Sequence, residues 1–292
     1  MPTPFPTPTP TQGTLLRATV ARLEAAGVEA ARRSAEWLLE EVTGQKRALL
    51  YAFPERPVTA AAIERLNGLV ARRVAGEPLQ YVVGHTDFFG LRLTVAPGVL
   101  IPRPETEELA ERALHWLKRH HSPRILDAGT GSGCLALALK DARPDADVHA
   151  LDISPEALVL ARANAARLRL DVAFYESDLL APVLAGIEGV FDLVVSNPPY
   201  IPVAELAELA REVAGHEPHV ALLSGDDPLT FYHALARHGE RYVRPGGALF
   251  AETHEAFGPA SARCFAPPAW AKASVLKDAT GRDRFVVALR AA

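Results

Sequence analysis

Apolar residues in the first part of the chain recur with the period of an α-helix. Leu16, Val20 and Leu23 are spaced so that they share one helix face. Segments with this spacing follow one another at residues 16–26, 30–42 and 58–74. Gly44 follows the second segment, as is common at the end of a helix. The pattern predicts a small helical bundle over residues 13–80.

Two segments beside the bundle have different patterns. Residues 1–12 are a Pro-Thr repeat, which suits neither helix nor sheet and predicts a disordered tail. Residues 88–95, then Pro97-Gly98, then residues 99–104 predict a β-hairpin that turns at Pro97-Gly98. We place this hairpin in a linker of residues 81–104.

Short apolar runs and helical segments alternate in the predicted domain of residues 105–292. Strands are predicted at residues 124–129, 147–154, 171–178, 191–197 and 247–253. Ser154 suits the cap and Pro155 the first position of the helix after the second strand. This alternation is typical of a doubly wound α/β domain with a mostly parallel sheet. Two more strands flank Gly281, so at least one final strand should run antiparallel.

The composition narrows the classes of function. The 292 residues are 49% hydrophobic and carry a net charge of −4, so the totals give no basic signature of nucleic-acid binding. Cys134 and Cys264 are too few for a disulfide framework or a cysteine-based metal site. The sequence also shows no long apolar run and no secretory leader. We therefore expect a cytoplasmic protein that uses neither a metal nor a membrane.

The first chemical motif is DAGTGSG, residues 127–133, which follows the first strand of the α/β domain. Its glycines allow a tight turn that lets the backbone approach a ligand beside a helix N-terminus. The dinucleotide fingerprint needs a third glycine or alanine at position 134, which is Cys134 here. A cofactor loop of another class and a glycine turn without a ligand both remain open at this point.

Three successive predicted strands end near an aspartate. Asp152 lies 25 residues after Asp127, and Asp178 closes the third strand. A carboxylate at this edge of a sheet can accept hydrogen bonds from both hydroxyls of a ribose. Asp178 or its neighbouring backbone is placed to meet the amine of an adenine. The coincidence favours a ligand that contains adenosine.

The segment FDLVVSNPPY, residues 191–200, places an asparagine where a strand must end. Pro198 and Pro199 cannot donate to a β-ladder, so the strand stops near Ser196 and Asn197 lies at its carboxyl end. Ligands of open α/β sheets bind at that edge.

These motifs, in this order, resemble those of class I S-adenosylmethionine-dependent methyltransferases, and NPPY is similar to the motif of enzymes that methylate a nitrogen conjugated to a π system. The upstream segment 76–109, with IPRPETE at residues 101–107, resembles bacterial release-factor glutamine N5-methyltransferases. The resemblance covers nearly the whole chain beyond the Pro-Thr tail. It implies a seven-stranded class I methyltransferase sheet with an antiparallel C-terminal strand, preceded by a helical domain that helps grip the release factor.

The resemblance also implies roles for individual residues. S-adenosylmethionine is expected to contact Asp127, Gly129, Thr130, Gly131, Ser132, Gly133, Asp152, Ile153, Asp178, Leu179 and Asn197. The substrate is expected to contact Asn197, Pro198, Pro199 and Tyr200, of which Asn197, Pro198 and Tyr200 are the expected catalytic residues. The implied reaction methylates the glutamine of the GGQ motif in peptide chain release factors. We expect a monomer that needs no nucleic acid and no metal, and that releases S-adenosylhomocysteine.

The chemistry of an amide explains the NPPY residues. The lone pair of a glutamine side-chain nitrogen is conjugated with the carbonyl, so the nitrogen is a poor nucleophile. The Asn197 side-chain oxygen and the Pro198 carbonyl can accept both amide hydrogens and aim the lone pair at the methyl group. The Tyr200 ring is predicted to cover the amide face. No base is evident in the motif, so the proton is expected to leave to water or a backbone acceptor.

The sequence departs from the family at two positions and leaves alternatives open. His254 and Pro228 stand where glycine is usual or common. Arg103, Glu105, Thr106 and Glu107 are placed to approach the cofactor, although an acidic helix start explains the two glutamates equally well. Glu217 either lines the substrate channel or caps a helix. A glutamine methyltransferase acting on a ribosomal protein or an adenine-N6 methyltransferase acting on nucleic acid would use the same motif. A nicotinamide oxidoreductase is opposed by the glycine spacing.

Overall fold

The computed structural model describes residues 10–179 and 190–292. The chain divides into two compact units, Met1–Gly84 and His85–Ala292. The predicted linker of residues 81–104 is therefore shared between them, since the chain passes from one unit to the other at Gly84.

The described part of the first unit is helical, as predicted. Its helices are α1 (Gln12–Ala25), α2 (Ala31–Thr43), α3 (Arg47–Ala52), α4 (Ala60–Val74) and α5 (Leu79–Val83). Leu23, Leu38 and Leu39 are fully buried where α1 and α2 pack together. Gly44 adopts φ +67° and ends α2, which confirms the expected stop. The short helices α3 and α5 were not predicted, because fewer than two turns show no clear period.

The predicted tail of residues 1–12 is wrong at its end. Helix α1 begins at Gln12, and the Thr11 hydroxyl accepts a hydrogen bond from the backbone N–H of Thr14, which satisfies one of the free donors of the first turn. Residues 1–9 of the predicted tail lie outside the described residues.

The second unit is an α/β domain. Its helices are α6 (Pro104–Leu117), α7 (Cys134–Ala142), α8 (Pro155–Leu168), α9 (Arg211–His216), α10 (His219–Leu222), α11 (Thr230–Tyr242) and α12 (Gly258–Arg263), with a 3-10 helix at Val203–Glu208. Its strands are β1 (His85–Phe88), β2 (Leu91–Thr94), β3 (Arg124–Ala128), β4 (Asp147–Asp152), β5 (Ala173–Glu176), β6 (Phe191–Ser196), β7 (Ile201–Pro202), β8 (Leu223–Gly225), β9 (Val243–Glu252), β10 (Trp270–Lys277) and β11 (Asp283–Arg290).

Seven of the described strands form the main sheet, in the order β10-β11-β9-β6-β3-β4-β5. The strands β9, β6, β3, β4 and β5 are parallel, and β11 is antiparallel to both of its neighbours. This arrangement confirms the predicted sheet and its antiparallel C-terminal strand. Alternate residues of β6 point to opposite faces: Leu193 packs in the core that contains α6 and α7, and Val194 packs in the core that contains α11.

The hairpin before this sheet turns at a different place from the one predicted. Strands β1 and β2 pair antiparallel and turn at Phe89-Gly90, and Pro97-Gly98 lies beyond the hairpin. Phe89 and Gly90 have φ +50° and +79°, the left-handed conformations of a two-residue hairpin turn. The Glu107 carboxylate accepts a 2.8 Å hydrogen bond from the Phe89 N–H, which anchors the turn to α6.

The order of the strands reverses next to β3. From β3 the chain proceeds to β4 and β5 on one side, and later to β6 and β9 on the other. Asp127 of β3 is in register with Val195 of β6, so the segments that follow the two strands leave the sheet side by side. A crevice at such a reversal is the usual ligand site of an open α/β sheet. Among the described residues, no helix is both long and apolar enough to traverse a bilayer.

Candidate active site

The glycine loop between β3 and α7 has the conformation expected from its sequence. Gly129, Gly131 and Gly133 adopt φ +81°, +55° and +85°. The backbone N–H groups of Gly129 and Thr130 both donate to the Leu151 carbonyl at 2.9 Å, which ties the loop to the end of β4. The loop therefore holds a fixed backbone surface at the first turn of α7.

Gly133 requires glycine for two separate reasons. Its φ of +85° is unfavourable for other residues, and an added Cβ would lie 3.1 Å from Leu137 Cδ1 and 3.3 Å from Ala161 Cβ. We expect Gly133→Ala to lower the unfolding free energy by about 2 to 4 kcal/mol, the sum of conformational strain and overpacking. Thermal denaturation measures the loss.

Gly281→Ala is the matched control for this substitution. Gly281 has nearly the same φ, +86°, but nothing lies within 4 Å of its added Cβ. It should lose only the strain of about 1 to 2 kcal/mol. Equal losses in the two variants would contradict the crowding at Gly133.

Asp127 is a buried carboxylate at the end of β3, with no exposed surface. Its Oδ2 accepts hydrogen bonds from the Thr130 hydroxyl at 2.6 Å and from the Ala136 N–H at 3.1 Å. Its Oδ1 is buried and has no hydrogen-bond partner among the described residues. Burial raises the pKa of Asp127 to about 7. A buried acceptor in this state is suited to a cationic ligand group.

Asp152 stands at the end of β4 and is fixed by backbone donors on both sides. One oxygen accepts from the Gly131 N–H at 2.8 Å and the other from the Ser154 N–H at 2.9 Å. Burial raises its pKa above the ordinary value, although these backbone hydrogen bonds oppose the change. The Ser154 hydroxyl in turn accepts from the Ala157 N–H, which confirms the predicted cap of α8.

A cavity of about 230 Å³ lies between these loops. The predicted residues that line it are Asp127, Gly129, Thr130, Gly131, Ser132, Asp152, Ile153, Asp178, Leu179, Asn197 and Pro199. Gly133, Pro198 and Tyr200 were also predicted to contact ligands but are absent from the lining. The three strand ends that carry aspartates thus open into one cavity, together with the end of β6.

Asn197 follows β6 and is half-buried at the edge of the cavity. The strand end is anchored by the Ser196 hydroxyl, which donates to the Ala128 carbonyl at 2.7 Å. The Asn197 Nδ2 donates to the Thr106 hydroxyl oxygen at 3.1 Å. This hydrogen bond uses the amide nitrogen and leaves the amide oxygen as the acceptor available to a ligand.

Tyr200 has a contact that the sequence did not indicate. Its hydroxyl donates to Glu252 Oε1 at 3.0 Å, and its ring centroid lies 6.2 Å from that of His254. Burial and the negative charge of Glu252 raise the pKa of Tyr200 well above its usual value, so the residue stays a neutral donor. The predicted position of the ring over a substrate amide remains a prediction.

Further residues of the site either were not predicted from the sequence or were only candidates. Thr106, Arg103, Leu100 and Phe231 line the cavity. Glu217 does not, but its carboxylate accepts a hydrogen bond from the Ile101 N–H at 3.1 Å and pairs with Arg103 at 2.5 Å. This ion pair joins Arg103, which lines the cavity, to the buried carboxylate of Glu217.

Glu252 is the most informative residue that the sequence analysis missed. It is buried at the end of β9, beside the end of β6. Its signal was the same as that of Asp127, a carboxylate at the carboxyl end of an apolar strand. The two departures from the family pattern do not line the cavity: His254 pairs with Glu205 at 3.2 Å, and Pro228 lies in the turn before α11. Among the described residues no group of acidic, histidine or cysteine side chains is placed to hold a metal ion.

Comparison with known proteins identifies the family. The model of the PrmC N-terminal domain matches residues 14–84, and that of the methyltransferase small domain matches residues 108–213. The release factor glutamine methyltransferase of Deinococcus radiodurans is 44% identical over 277 residues, which cover 95% of this chain and 98% of the relative. This chain belongs to the release factor glutamine methyltransferase family. The family member of that name from Geobacter sulfurreducens is 40% identical and covers 89% of this chain and 90% of its own.

Family membership confirms the resemblance drawn from the motifs and makes the protein a methyltransferase. The α/β unit has the class I methyltransferase fold, and the helical unit precedes it in the chain. A solved methyltransferase from Pyrococcus furiosus shares this fold, with a TM-score of 0.52 at 16% identity over 80% of this chain and 100% of that chain.

Proposed function

We propose that the protein transfers a methyl group from S-adenosylmethionine to the side-chain amide nitrogen of the glutamine in the GGQ motif of peptide chain release factors. The single observation that carries the proposal is the hydrogen bond from Asn197 Nδ2 to Thr106, which leaves Asn197 Oδ1 as an acceptor at the cavity edge. The relatives named release factor glutamine methyltransferase match this chain over nearly their full length, which supports a release factor as the substrate. A cytoplasmic location follows from that substrate.

The residues of the cavity fit S-adenosylmethionine. The unpartnered Asp127 Oδ1 suits the cationic amino group of the methionine part. Asp152, whose carboxylate is held by two backbone donors, suits the ribose hydroxyls. Asp178 and Leu179 are assigned to the adenine. When bound, S-adenosylmethionine supplies a methyl group on a positively charged sulfur, which leaves as a neutral thioether.

The protein's part in the reaction is to orient a weak nucleophile. Asn197 Oδ1 and the Pro198 carbonyl accept the two hydrogens of the glutamine amide, so the lone pair points toward the methyl donor. Accepting these hydrogen bonds also favours the positive charge that develops on the nitrogen. The N–CH₃ bond forms as the S–CH₃ bond breaks, and the nitrogen then gives one proton to water. The two prolines hold both acceptors at fixed positions.

The direct test is to incubate the full chain with S-adenosylmethionine and a purified release factor, and to locate the new methyl group by mass spectrometry. We expect one methyl group on the GGQ glutamine and none on a release factor in which that glutamine is replaced by alanine. A ribosomal protein mixture and a duplex DNA are tested in parallel. Methylation of either of these, with none on the release factor, would overturn the proposal.

The assignment of Asp127 predicts how cofactor binding depends on pH. Its pKa in the free protein is raised to about 7, and a nearby ammonium group favours the ionised carboxylate. S-adenosylhomocysteine, which carries the same ammonium group, should therefore bind tightly above pH 7. Its affinity should fall by up to about tenfold per pH unit below that value, because protonated Asp127 must first ionise. Calorimetric titration at several pH values measures this change.

The same shift predicts the opposite trend for stability without ligand. Asp127 is protonated in the folded chain at pH values where it is ionised in the unfolded chain, so the unfolding free energy should fall as the pH rises from about 4 to about 7.

Asp127→Asn is the control for the pH dependence of cofactor binding. The asparagine cannot titrate, so this variant should flatten the acid side of the affinity profile. An unchanged profile in that variant would contradict the assignment.

A further inference from the structure

We propose that Glu252 is a positioning residue that determines which atom of the Asn197 amide faces the substrate. The inference rests on the proposed function, because it concerns how Asn197 is held for that reaction. It involves the Glu252 cluster, defined as Glu252, Thr106, Asn197 and Tyr200.

Glu252 is built into the fold beside the NPPY segment. It is 1% exposed at the end of β9, and the preceding residue, Ala251, is in register with Ser196 at the end of β6. The Tyr232 hydroxyl donates to its backbone carbonyl at 2.9 Å. Its two side-chain oxygens have separate partners: Oε2 accepts from the Thr106 hydroxyl at 2.8 Å, and Oε1 accepts from the Tyr200 hydroxyl at 3.0 Å.

The number of available hydrogens determines the direction of the hydrogen bonds that link Glu252, Thr106 and Asn197. An ionised carboxylate can only accept, so the single hydroxyl hydrogen of Thr106 is directed to Glu252. Thr106 Oγ1 then has only lone pairs left for Asn197. It must therefore accept from Nδ2, as observed at 3.1 Å. The charge of a buried carboxylate two hydrogen bonds away thus orients the amide and leaves Oδ1 for the substrate.

The contacts of Glu252 favour its ionised form and oppose the effect of burial, which favours the protonated acid. Burial raises its pKa, and this effect is opposed by the hydroxyls of Thr106 and Tyr200 and by the positive charge of Arg284. The Arg284 side chain is itself mostly buried and pairs with Asp278 at 3.3 Å. The carboxylate is therefore supplied with two donors and a nearby cation, as a buried charge requires.

The same carboxylate holds both ends of the NPPY segment. It binds Tyr200 directly and Asn197 through Thr106, and the two prolines between them restrict the backbone. Without an acceptor at position 252, Thr106 is free to donate its hydrogen to Asn197 Oδ1. The amide then turns over, and its NH₂ group meets the NH₂ group of the substrate, donor against donor.

Glu252→Gln tests this mechanism with little change of shape. The new amide can donate to Thr106, which reverses the direction of the hydrogen bonds. We expect kcat for release-factor methylation to fall by about 10- to 100-fold, while the Kd of S-adenosylhomocysteine stays within about twofold. A purely structural role would instead lower the thermal stability and change both parameters.

The Thr106 variants provide a second, independent readout. Thr106→Val keeps the shape but removes the hydroxyl, and should lose kcat to a similar extent as Glu252→Gln. Thr106→Ser keeps the hydroxyl and should restore most of the loss seen with valine. The double variant of Glu252→Gln and Thr106→Val should be no worse than the more damaged single variant, because both break one chain of hydrogen bonds.

Asp192→Asn is the matched control for replacing a carboxylate by an amide. Asp192 lies at the opposite end of β6, where it accepts from the Arg124 N–H at 2.8 Å and from Arg244 Nε at 2.6 Å. This variant should lose stability but keep the wild-type kcat.

The possible failures are distinguishable. If wild-type protein does not methylate the release factor, the proposed function fails. If the wild type is active and Glu252→Gln retains its kcat, only the role of Glu252 is overturned. If Glu252→Gln does not fold, the Thr106 pair decides, and equal kcat values for serine and valine overturn the inference.

Discussion

Asn197→Ala is expected to lower kcat for methyl transfer by at least about a hundred- to a thousand-fold, the size of effect seen when one preorganised polar group is removed from an active site. The loss follows from the geometry, because Asn197 Oδ1 is the side-chain acceptor left available by the hydrogen bond to Thr106. The Kd of S-adenosylhomocysteine should change much less, since the aspartates at the other strand ends remain. Single-turnover kinetics and calorimetry measure the two quantities separately.

Ser196→Ala is the control for this prediction. Ser196 precedes Asn197 and is fully buried, and its hydroxyl donates to the Ala128 carbonyl without lining the cavity. Its removal should cost about 1 kcal/mol of stability and leave kcat within a few-fold of the wild type. If Asn197→Ala kept near-normal turnover, the proposed orientation of the glutamine amide would be wrong, whatever happened to cofactor affinity.

The sheet and most of the cavity followed from local sequence. Apolar runs of strand length alternated with helical segments, and parallel strands bring their carboxyl ends to one edge. That rule alone placed Asp127, Asp152, Asp178 and Asn197 together, and all four line one cavity. The positive φ of each glycine in the loop was likewise implied by a tight turn between a strand and a helix.

The contacts that orient the NPPY residues could not be derived in this way. Thr106 and Glu252 are 146 positions apart in sequence. The local pattern of apolar and polar residues around one of them does not indicate that it contacts the other. Their pairing depends on how α6 packs beside β9, which is a property of the assembled core. The predicted position of the hairpin turn was wrong for a different reason. Phe89-Gly90 and Pro97-Gly98 both suit a turn, and only the pairing of β1 with β2 distinguishes them.

Asp152 is expected to serve cofactor binding and not the methyl-transfer step, and its replacement is expected to have the second large effect. Asp152→Ala is expected to raise the Kd of S-adenosylhomocysteine by about a hundredfold or more, because two charge-assisted hydrogen bonds to the ribose contribute about 1.5 to 3 kcal/mol each. An analogue without the 2′-hydroxyl should lose less affinity on the same substitution. At saturating S-adenosylmethionine, kcat should recover most of its wild-type value, since the Glu252 cluster is untouched. Calorimetry with both ligands measures the coupling between the carboxylate and the hydroxyl.

Glu176→Ala separates this specific role from a general loss of negative charge. Glu176 ends β5 and is in register with Asp152, but it is exposed and does not line the cavity. Removing its carboxylate should leave the Kd unchanged. Equal Kd values for Asp152→Ala and the wild type would rule out the ribose contact. The two carboxylates lie on adjacent strands, so they differ mainly in that only Asp152 can bond directly to the ribose. Equal losses of affinity in the Asp152 and Glu176 variants would therefore mean that the effect comes from the negative charge at this edge of the sheet and not from a direct hydrogen bond.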